Sequence, residues 1–479
     1  MTQLSNKTFT KRIKRPVRVV QFGGGNFLRG FADWMIEVLN QTTDFNGDVV
    51  IVKPTERGDY TALRKQDGLF QVLLQGIKDG EYQSQLQLIQ CVQQVVHPYK
   101  EWKEYLKLAE NPDLRFIISN TTEAGIKFST TDQLSDQPAK EFPGKLTAFL
   151  YHRFLHFKGA ADKTFIFLPC ELIEQNGATL KSCIMQYADS WKLDPAFKRW
   201  MDGHIFCNTL VDRIISGFPN KTVIGQNNLP NVKDDLLVAG EPYHSWIIEG
   251  PKEVETALPF HRTKLNVKFV EDLGPYRKIK VRLLNGAHTA LVPVGYLYGV
   301  RTVKEAMQES PLEHFMQQIL ADEIIPSLEF EKTELEQFSQ DVLDRFRNPS
   351  IEHELKSIAL NSISKFKTRL LPSLLQYQTN KGQLPERIVF ALACLIRFYK
   401  GNYQNIETPV QDDPATMDFF KKVWKEHGKD KSKLVKQVLS KITFWDMNLS
   451  NIPGLQELLT DFLIEMENST IRSIVKRIT

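Results

Sequence analysis

Two hydrophobic rhythms run along the chain. Val17 to Phe22 is a short β-rich run, and Phe31 to Leu39 follows with helical spacing that sets Phe31, Trp34, Met35 and Val38 on one face. Asp48 to Val52 is a continuous β-branched run, as in a strand buried on both faces. Phe116 to Ile118 and Phe165 to Leu168 repeat that pattern, and Leu146, Phe149, Leu150, Phe154 and Phe157 mark a helix between them. Strand–helix–strand alternation of this kind predicts a parallel α/β sheet. From about Arg282 the rhythm becomes helical. Val303 to Leu320, Glu334 to Phe346, Ile351 to Leu360, Arg387 to Tyr399 and Leu455 to Ile464 carry it, punctuated by Pro311, Pro326, Pro349, Pro372, Pro385 and Pro453. The expected fold class is α/β plus all-α: a parallel-sheet domain over residues 1–268 and a mainly α-helical domain over 269–479.

Bulk properties exclude more than they suggest. At 479 residues the chain is too long for one core, so two or three domains are expected. A formal net charge of +4 gives no case for nucleic acid or a membrane surface. Lys7, Lys11, Arg12, Lys14, Arg15 and Arg18 read as a solvated lead-in to the first strand rather than a transit peptide. No apolar stretch approaches the roughly 20 residues that span a bilayer, and no signal peptide is expected. The five cysteines are widely spaced and lack a CxxC pair, which predicts reduced, mostly buried thiols in a cytoplasmic protein.

Candidate chemistry begins at Gln21-Phe22-Gly23-Gly24-Gly25-Asn26-Phe27-Leu28-Arg29-Gly30, between a predicted strand and a predicted helix. Strand, glycine turn and helix make a Rossmann-like dinucleotide site, where the backbone approaches a pyrophosphate and the helix start faces it with free N–H groups. The match is imperfect. Gly23 and Gly25 take the first two glycine positions, but Leu28 takes the third, so helix–strand packing must be arranged otherwise, with Gly30 as the candidate. The acidic residue expected after the second strand is replaced near Lys53. A lysine there could contact a 2′-phosphate, so chemistry alone leaves NAD and NADP open.

The densest signal is Lys280-Val-Arg-Leu-Leu-Asn285-Gly-Ala-His288. On an α-helix His288 lies roughly 80° and Asn285 roughly 140° around from Lys280, so the three share one broad face. These residue types suit reduction of a ketone. An Asn285 amide can stabilise charge building on oxygen. A protonated lysine can deliver a proton, and a neutral one can accept it in reverse. Free lysine titrates near 10.4, and desolvation with neighbours such as Arg277 and Lys278 favours the neutral form. His288 could fix a substrate hydroxyl. Spacing alone is equally met by a solvated helix that happens to carry Lys, Asn and His.

Lys-x4-Asn-x2-His, the glycine loop and the helical second half together resemble the mannitol dehydrogenase family of long-chain polyol dehydrogenases. Ser119 to Ile126, Leu168 to Ile173, Thr209 to Ile214, Leu284 to Pro293, Arg345 to Pro349 and Pro409 to Asp413 also fit, so the likeness covers nearly the whole chain. The resemblance implies an NAD-dependent, zinc-independent oxidoreductase in which Lys280 takes the place of a metal. It implies a second oxyanion-holding asparagine at Asn176 and an orienting aspartate at Asp212. A substrate-contacting lysine corresponds to Lys365. The family arginine before it falls on Ser357, with Lys356 beside it, a departure that fits a substrate other than a plain polyol. A sugar acid is expected, with Lys365, Lys356 and Arg345 as candidates for its carboxylate.

Other signals carry less. His152 and His156 have metal-ligand spacing without a third ligand, and no metal is expected. Glu171 and Glu174 read as a strand-end feature. Glu123, at the end of a predicted strand, is equally a cofactor-facing or a structural residue. Oligomeric state is not legible.

Overall fold

The computed structural model describes residues 2–58, 60–122, 124–219 and 232–479; Glu123 falls outside them. The chain divides into two compact units, Met1–Gln75 with Gln83–Leu273, and Gly76–Tyr82 with Gly274–Thr479. The division thus falls after Leu273, a few residues beyond the expected 268/269, and a short excursion from the first half joins the second unit.

The first unit is built on a six-stranded parallel sheet. Numbered along the chain its strands are β1 (Val17–Phe22), β2 (Asp48–Val52), β3 (Val92–Val96), β4 (Phe116–Ser119), β5 (Ile166–Pro169) and β6 (Ile205–Phe206). Their order is 3-2-1-4-5-6, the doubly wound dinucleotide-binding arrangement. The β-branched runs are buried because successive side chains enter different cores. Val19, Val49, Ile51, Phe116, Ile118, Ile166 and Leu168 join the core that holds Phe31 and Met35. Val20, Phe22, Val50, Val52, Ile117 and Phe167 join the core formed with helices Phe142–Phe157 and Asn176–Ser190. A period of two between two apolar layers is what makes the runs look continuous in sequence.

Besides a two-stranded pairing of Thr2–Gln3 with Val232–Lys233, two smaller sheets belong to this unit, and the sequence pattern did not reveal them. One sets Ser245–Glu249 between Asn208–Asp212 and Val267–Val270. The other includes a long hairpin, Phe70–Lys78 and Glu81–Ile89, turning at Asp79-Gly80 with φ of 54° and 78°. Those angles are a type I′ turn, and Asp-Gly is a favoured sequence for it. The hairpin tip belongs to the second unit, where the Gly80 amide donates to Asp344 at 3.1 Å.

The second unit is almost entirely helical. Helix Glu386–Phe398 is buried continuously from Ile388 to Phe398 and packs on helix Gly286–Tyr298 in a single core. The stretch from Val303 to Leu320 is not one helix. It breaks at Glu309 into Val303–Gln308 and Ser310–Gln318, because Pro311 suits only a first turn. Ile351 to Leu360 yields only the short helix Leu355–Ile358. No helix among the described residues is long and apolar enough to cross a membrane, and all five cysteines are buried and unpaired.

His204, just before β6, sits in an aromatic cage. Its ring lies 4.4 Å from Trp200 and 5.6 Å from Phe167, and its Nδ1 accepts from the Phe165 amide at 3.0 Å. Burial, helped by Arg153, pushes its pKa down to about 3. The unfolded chain takes that proton near pH 6.5 and the folded chain does not, so this group removes stability as pH falls below 6.5. His204→Gln should therefore lose less unfolding free energy than wild type between pH 7 and pH 5, by about 2 kcal/mol in urea titrations. Equal losses would exclude His204 as the source.

Candidate active site

In the first unit the strand order reverses between β1 and β4, and the glycine loop leaves β1 there. Gly23 has φ of +119°, and a Cβ on it would lie 3.0 Å from the Asn120 carbonyl oxygen after β4. Only glycine accepts both the angle and the approach. Gly25 caps the following helix, which runs as α-turn Asn26–Leu28, π-turn Arg29–Asp33 and α-helix Trp34–Thr42. Gly25 and Asn26 are exposed, Phe27 is half-buried, and the space around Gly25 is open to 4 Å. This face can receive an anionic group at a helix start.

The other seven loop residues brace rather than face outward. The Gln21 amide donates to the Gly23 carbonyl at 3.0 Å and to Asp33 at 3.3 Å. Phe22 packs on Phe142 at 4.9 Å. The Gly24 amide donates to the Tyr60 hydroxyl at 2.7 Å. Leu28 lies beneath Gly23, and Gly30 packs on Ile215 and Val238, so the close approach lost at Leu28 is recovered at Gly30 against the smaller sheet. Arg29 folds back: it donates to the carbonyls of Gly24 (3.2 Å) and Leu236 and to Asn26 Oδ1 (2.7 Å), and lies 5.3 Å over Phe70.

Lys53 corrects the expectation drawn from it. It is 1 % exposed, and its ammonium donates to the carbonyls of Thr55, Glu56 (2.7 Å) and Arg57 (2.6 Å). An ammonium has three donors, so Lys53 ties down the loop after β2 and has none left for a phosphate. Asn176 is similar. Its amide nitrogen donates to the carbonyls of Pro169 (2.9 Å), Glu171 (3.1 Å) and Thr209 (3.1 Å), and its oxygen accepts from the amides of Thr209 and Gly177. That geometry makes it a buried bracket joining β5 to strand Asn208–Asp212, not a group presenting an N–H to substrate. Asp212 ends that strand, paired with Ser245 and half-buried. Glu171 is buried and accepts from Ser119 Oγ (2.9 Å), the Thr121 amide (2.9 Å) and Thr121 Oγ1 (3.0 Å), ordering the loop after β4, whereas Glu174 is exposed. His152 pairs with Glu110 at 2.9 Å.

The lysine constellation lies wholly in the second unit. Residues 280–285 form a π-turn between α-helices Gly274–Ile279 and Gly286–Tyr298, and the Gly286 amide reaches back to the Val281 carbonyl. Hydrogen bonds spanning five residues bring positions five apart alongside one another. That wider turn brings Lys280 and Asn285 closer around the helix axis than the roughly 140° that α-helical pitch gives. Both are half-buried, and Leu283 and Leu284 anchor the turn in the core. His288 lies one turn on, its ring 4.3 Å from Phe346 and 5.1 Å from His353. Burial, then His353, Arg345 and Arg369, push His288 well below the ordinary histidine range, and burial with Arg345 lowers His353. Both imidazoles are neutral near pH 7.

The three carboxylate candidates part company. Arg345 is buried close to both histidines. Lys365 is half-buried on helix Ser362–Arg369 and donates to the Ile358 carbonyl at 2.8 Å. Lys356 is exposed and paired with Glu354 at 3.1 Å, so it belongs to the solvated surface. Sequence reasoning missed His353 and Arg369. Arg369 follows Lys365 by four positions on one helix, a spacing that marks a shared face.

Residues 17–262 match the mannitol dehydrogenase Rossmann domain, and residues 272–466 the mannitol dehydrogenase C-terminal domain. The chain belongs to the mannitol dehydrogenase family and is a dehydrogenase. Among curated relatives it is 46% identical to an altronate oxidoreductase of Bacillus subtilis (strain 168) over 464 residues, covering 97% of this chain and 95% of that one. It is 44% identical to an altronate oxidoreductase of Shigella flexneri, over 96% of each chain. In fold it is similar to Pseudomonas fluorescens mannitol 2-dehydrogenase, solved with NAD and D-mannitol, at TM-score 0.63 and 19% identity over 100% of this chain and 99% of that one. A substrate-free D-sorbitol dehydrogenase gives TM-score 0.77 and 19% identity over 99% and 100%.

The bracket at Asn176 is testable on its own. Asn176→Ala leaves the buried Thr209 amide without its partner, and should cost about 3 kcal/mol in chemical unfolding. A loss below about 0.5 kcal/mol would mean the bracket is dispensable.

Proposed function

We propose that this protein interconverts D-altronate and D-tagaturonate with NAD, without zinc, using Lys280 as general acid and base. The observation that supports the reading is the π-turn over 280–285, which carries Lys280 and Asn285 one turn before a His288 held neutral by burial and nearby cations. The relatives named altronate oxidoreductase support the substrate. The open face at Gly25 to Phe27 fits a pyrophosphate, and the occupied Lys53 ammonium favours NAD over NADP. When bound, the nicotinamide supplies or accepts the hydride.

In the reducing direction the Lys280 ammonium gives a proton to the carbonyl oxygen, and the Asn285 amide donates a hydrogen bond to the same oxygen. In the oxidising direction neutral Lys280 takes the hydroxyl proton. His288 positions a neighbouring hydroxyl. Asn176 acts by holding β5 and strand Asn208–Asp212 in register. Lys365 and Arg345 contribute positive charge toward the substrate carboxylate.

Lys280→Ala should lower kcat about 10²–10⁴-fold. A variant within about tenfold of wild type would exclude the lysine mechanism. NADH oxidation with tagaturonate, fructuronate and fructose compared side by side should favour tagaturonate. Preference for fructuronate or fructose would move the chain to a fructuronate reductase or a polyol dehydrogenase of the same family, and NADPH in place of NADH should be the poorer reductant.

A further inference from the structure

Arg369, at the end of helix Ser362–Arg369, is a cation with little to hold it. It is half-buried, and desolvation lowers its pKa, the mark of a charge short of compensation. Among the described residues its side chain makes a single long hydrogen bond, 3.4 Å from Nη1 to Thr289 Oγ1, and no ion pair. A guanidinium has five N–H donors. Leaving most of them without a strong acceptor in a half-buried setting is costly unless a ligand brings one.

Its position ties it to the reacting helix. Thr289 follows His288, and its hydroxyl donates to the Asn285 carbonyl at 2.8 Å. A Cβ on Gly286, the residue after Asn285, would lie 3.4 Å from the Arg369 carbonyl oxygen and 3.3 Å from Leu370 Cδ2. Backbone and side chain of Arg369 are thus both registered on the segment 285–289. Its charge acts on His288 and on Lys365. The other cations are more fully engaged. Lys365 holds the Ile358 carbonyl, Lys356 pairs with Glu354, and Arg345 is 7 % exposed and has partners of its own. Arg282 also lacks an ion pair, but Ser373 holds it at 2.9 Å and it is not among the charges acting on His288.

We propose that Arg369 binds the substrate carboxylate with its guanidinium fork and is the residue that selects a sugar acid over the neutral ketose. The proposal rests on the sugar-acid reading above. A planar fork offers two parallel N–H groups to the two carboxylate oxygens, which a lysine cannot. A neutral sugar would leave that fork unanswered, which gives the discrimination its physical basis.

The test compares tagaturonate with D-tagatose, which carries a hydroxymethyl group where the acid carries the carboxylate. Steady-state reduction is measured for wild type, Arg369→Ala and Arg369→Lys, with NADH binding by fluorescence and a thermal melt as checks on folding. Arg369→Ala should raise KM for tagaturonate about 100-fold, the loss of one partner from a desolvated charge pair. The ratio of kcat/KM for acid over neutral ketose should fall by at least about 30-fold, with Arg369→Lys between the two and added guanidinium ion restoring part of the loss in the alanine variant. Equal losses on both substrates overturn the proposal, as does an unchanged KM for the acid in a folded variant. If the alanine variant does not fold, a lysine variant that keeps wild-type selectivity overturns it. A wild-type protein that reduces neutral ketoses and no sugar acid overturns the functional reading itself, and the assignment of Arg369 with it.

Discussion

The segment from Lys280 to His288 in the second unit depends on one constraint, the π-turn over 280–285, which closes with the Gly286 amide donating back five residues to the Val281 carbonyl. Without it, residues 274–298 would be one α-helix, and Asn285 would point roughly 140° away from Lys280. The wide turn is held at both ends. Ile279, Leu283 and Leu284 are buried in the core, and the following helix is clamped against the fully buried helix Glu386–Phe398. Packing that has nothing to do with substrate thus fixes which polar groups stand together, and π-turns recur at functional sites for this reason.

The same point marks the limit of what the sequence disclosed. Strands β1, β2, β4 and β5 were legible because each is a short run rich in β-branched and aromatic residues, as suits a strand between two apolar layers. Helices Lys332–Arg347, Glu386–Phe398 and Leu455–Asn468 were legible from their spacing. The hairpin Phe70–Ile89 was not, because much of Glu81–Ile89 is exposed and its alternation of Gln83, Gln85 and Gln87 with Tyr82, Leu86 and Leu88 builds little of the core. Lys280, Asn285 and His288 could be singled out by type and spacing, but their mutual placement could not, since no local signal distinguishes a π-turn from the α-helix on either side. Arg369 was hidden for a different reason. Its importance lies in the partners it lacks, and that is a property of the folded chain alone.

Buried cations show why residue type misleads about role. Lys53, Arg29 and Arg213 all lie near or beneath the glycine loop or the helix that follows it, and any of them could pass in sequence for a phosphate ligand. Each is instead engaged mainly by backbone carbonyls. Lys53 holds three, Arg29 two with Asn26, and Arg213 those of Gly30, Glu241 and Pro242. Their desolvation is offset by loop carbonyls that would otherwise be buried without donors. A cation whose donors are filled from the chain shapes a site, and one whose donors are empty is available to a ligand. By that measure Lys53 gives up the role its sequence context suggests, and Arg369 takes on one that its sequence context does not announce.

On the proposed sugar-acid reading, two neutral histidines complete the logic of a face that would meet a hydroxylated acid. Arginine and lysine only donate hydrogen bonds, whereas each hydroxyl of a sugar also needs an acceptor for its own proton. Aspartate or glutamate would accept, but either would neutralise the cations and repel the substrate carboxylate. A neutral imidazole accepts through its unprotonated nitrogen and carries no charge. Burial beside Arg345 holds His288 and His353 in that form, and Arg369 adds to the effect at His288. The cations that attract the acid are therefore the same groups that keep its hydroxyl partners uncharged. Replacing either histidine with a carboxylate would disturb both functions at once, even though a carboxylate is the stronger acceptor.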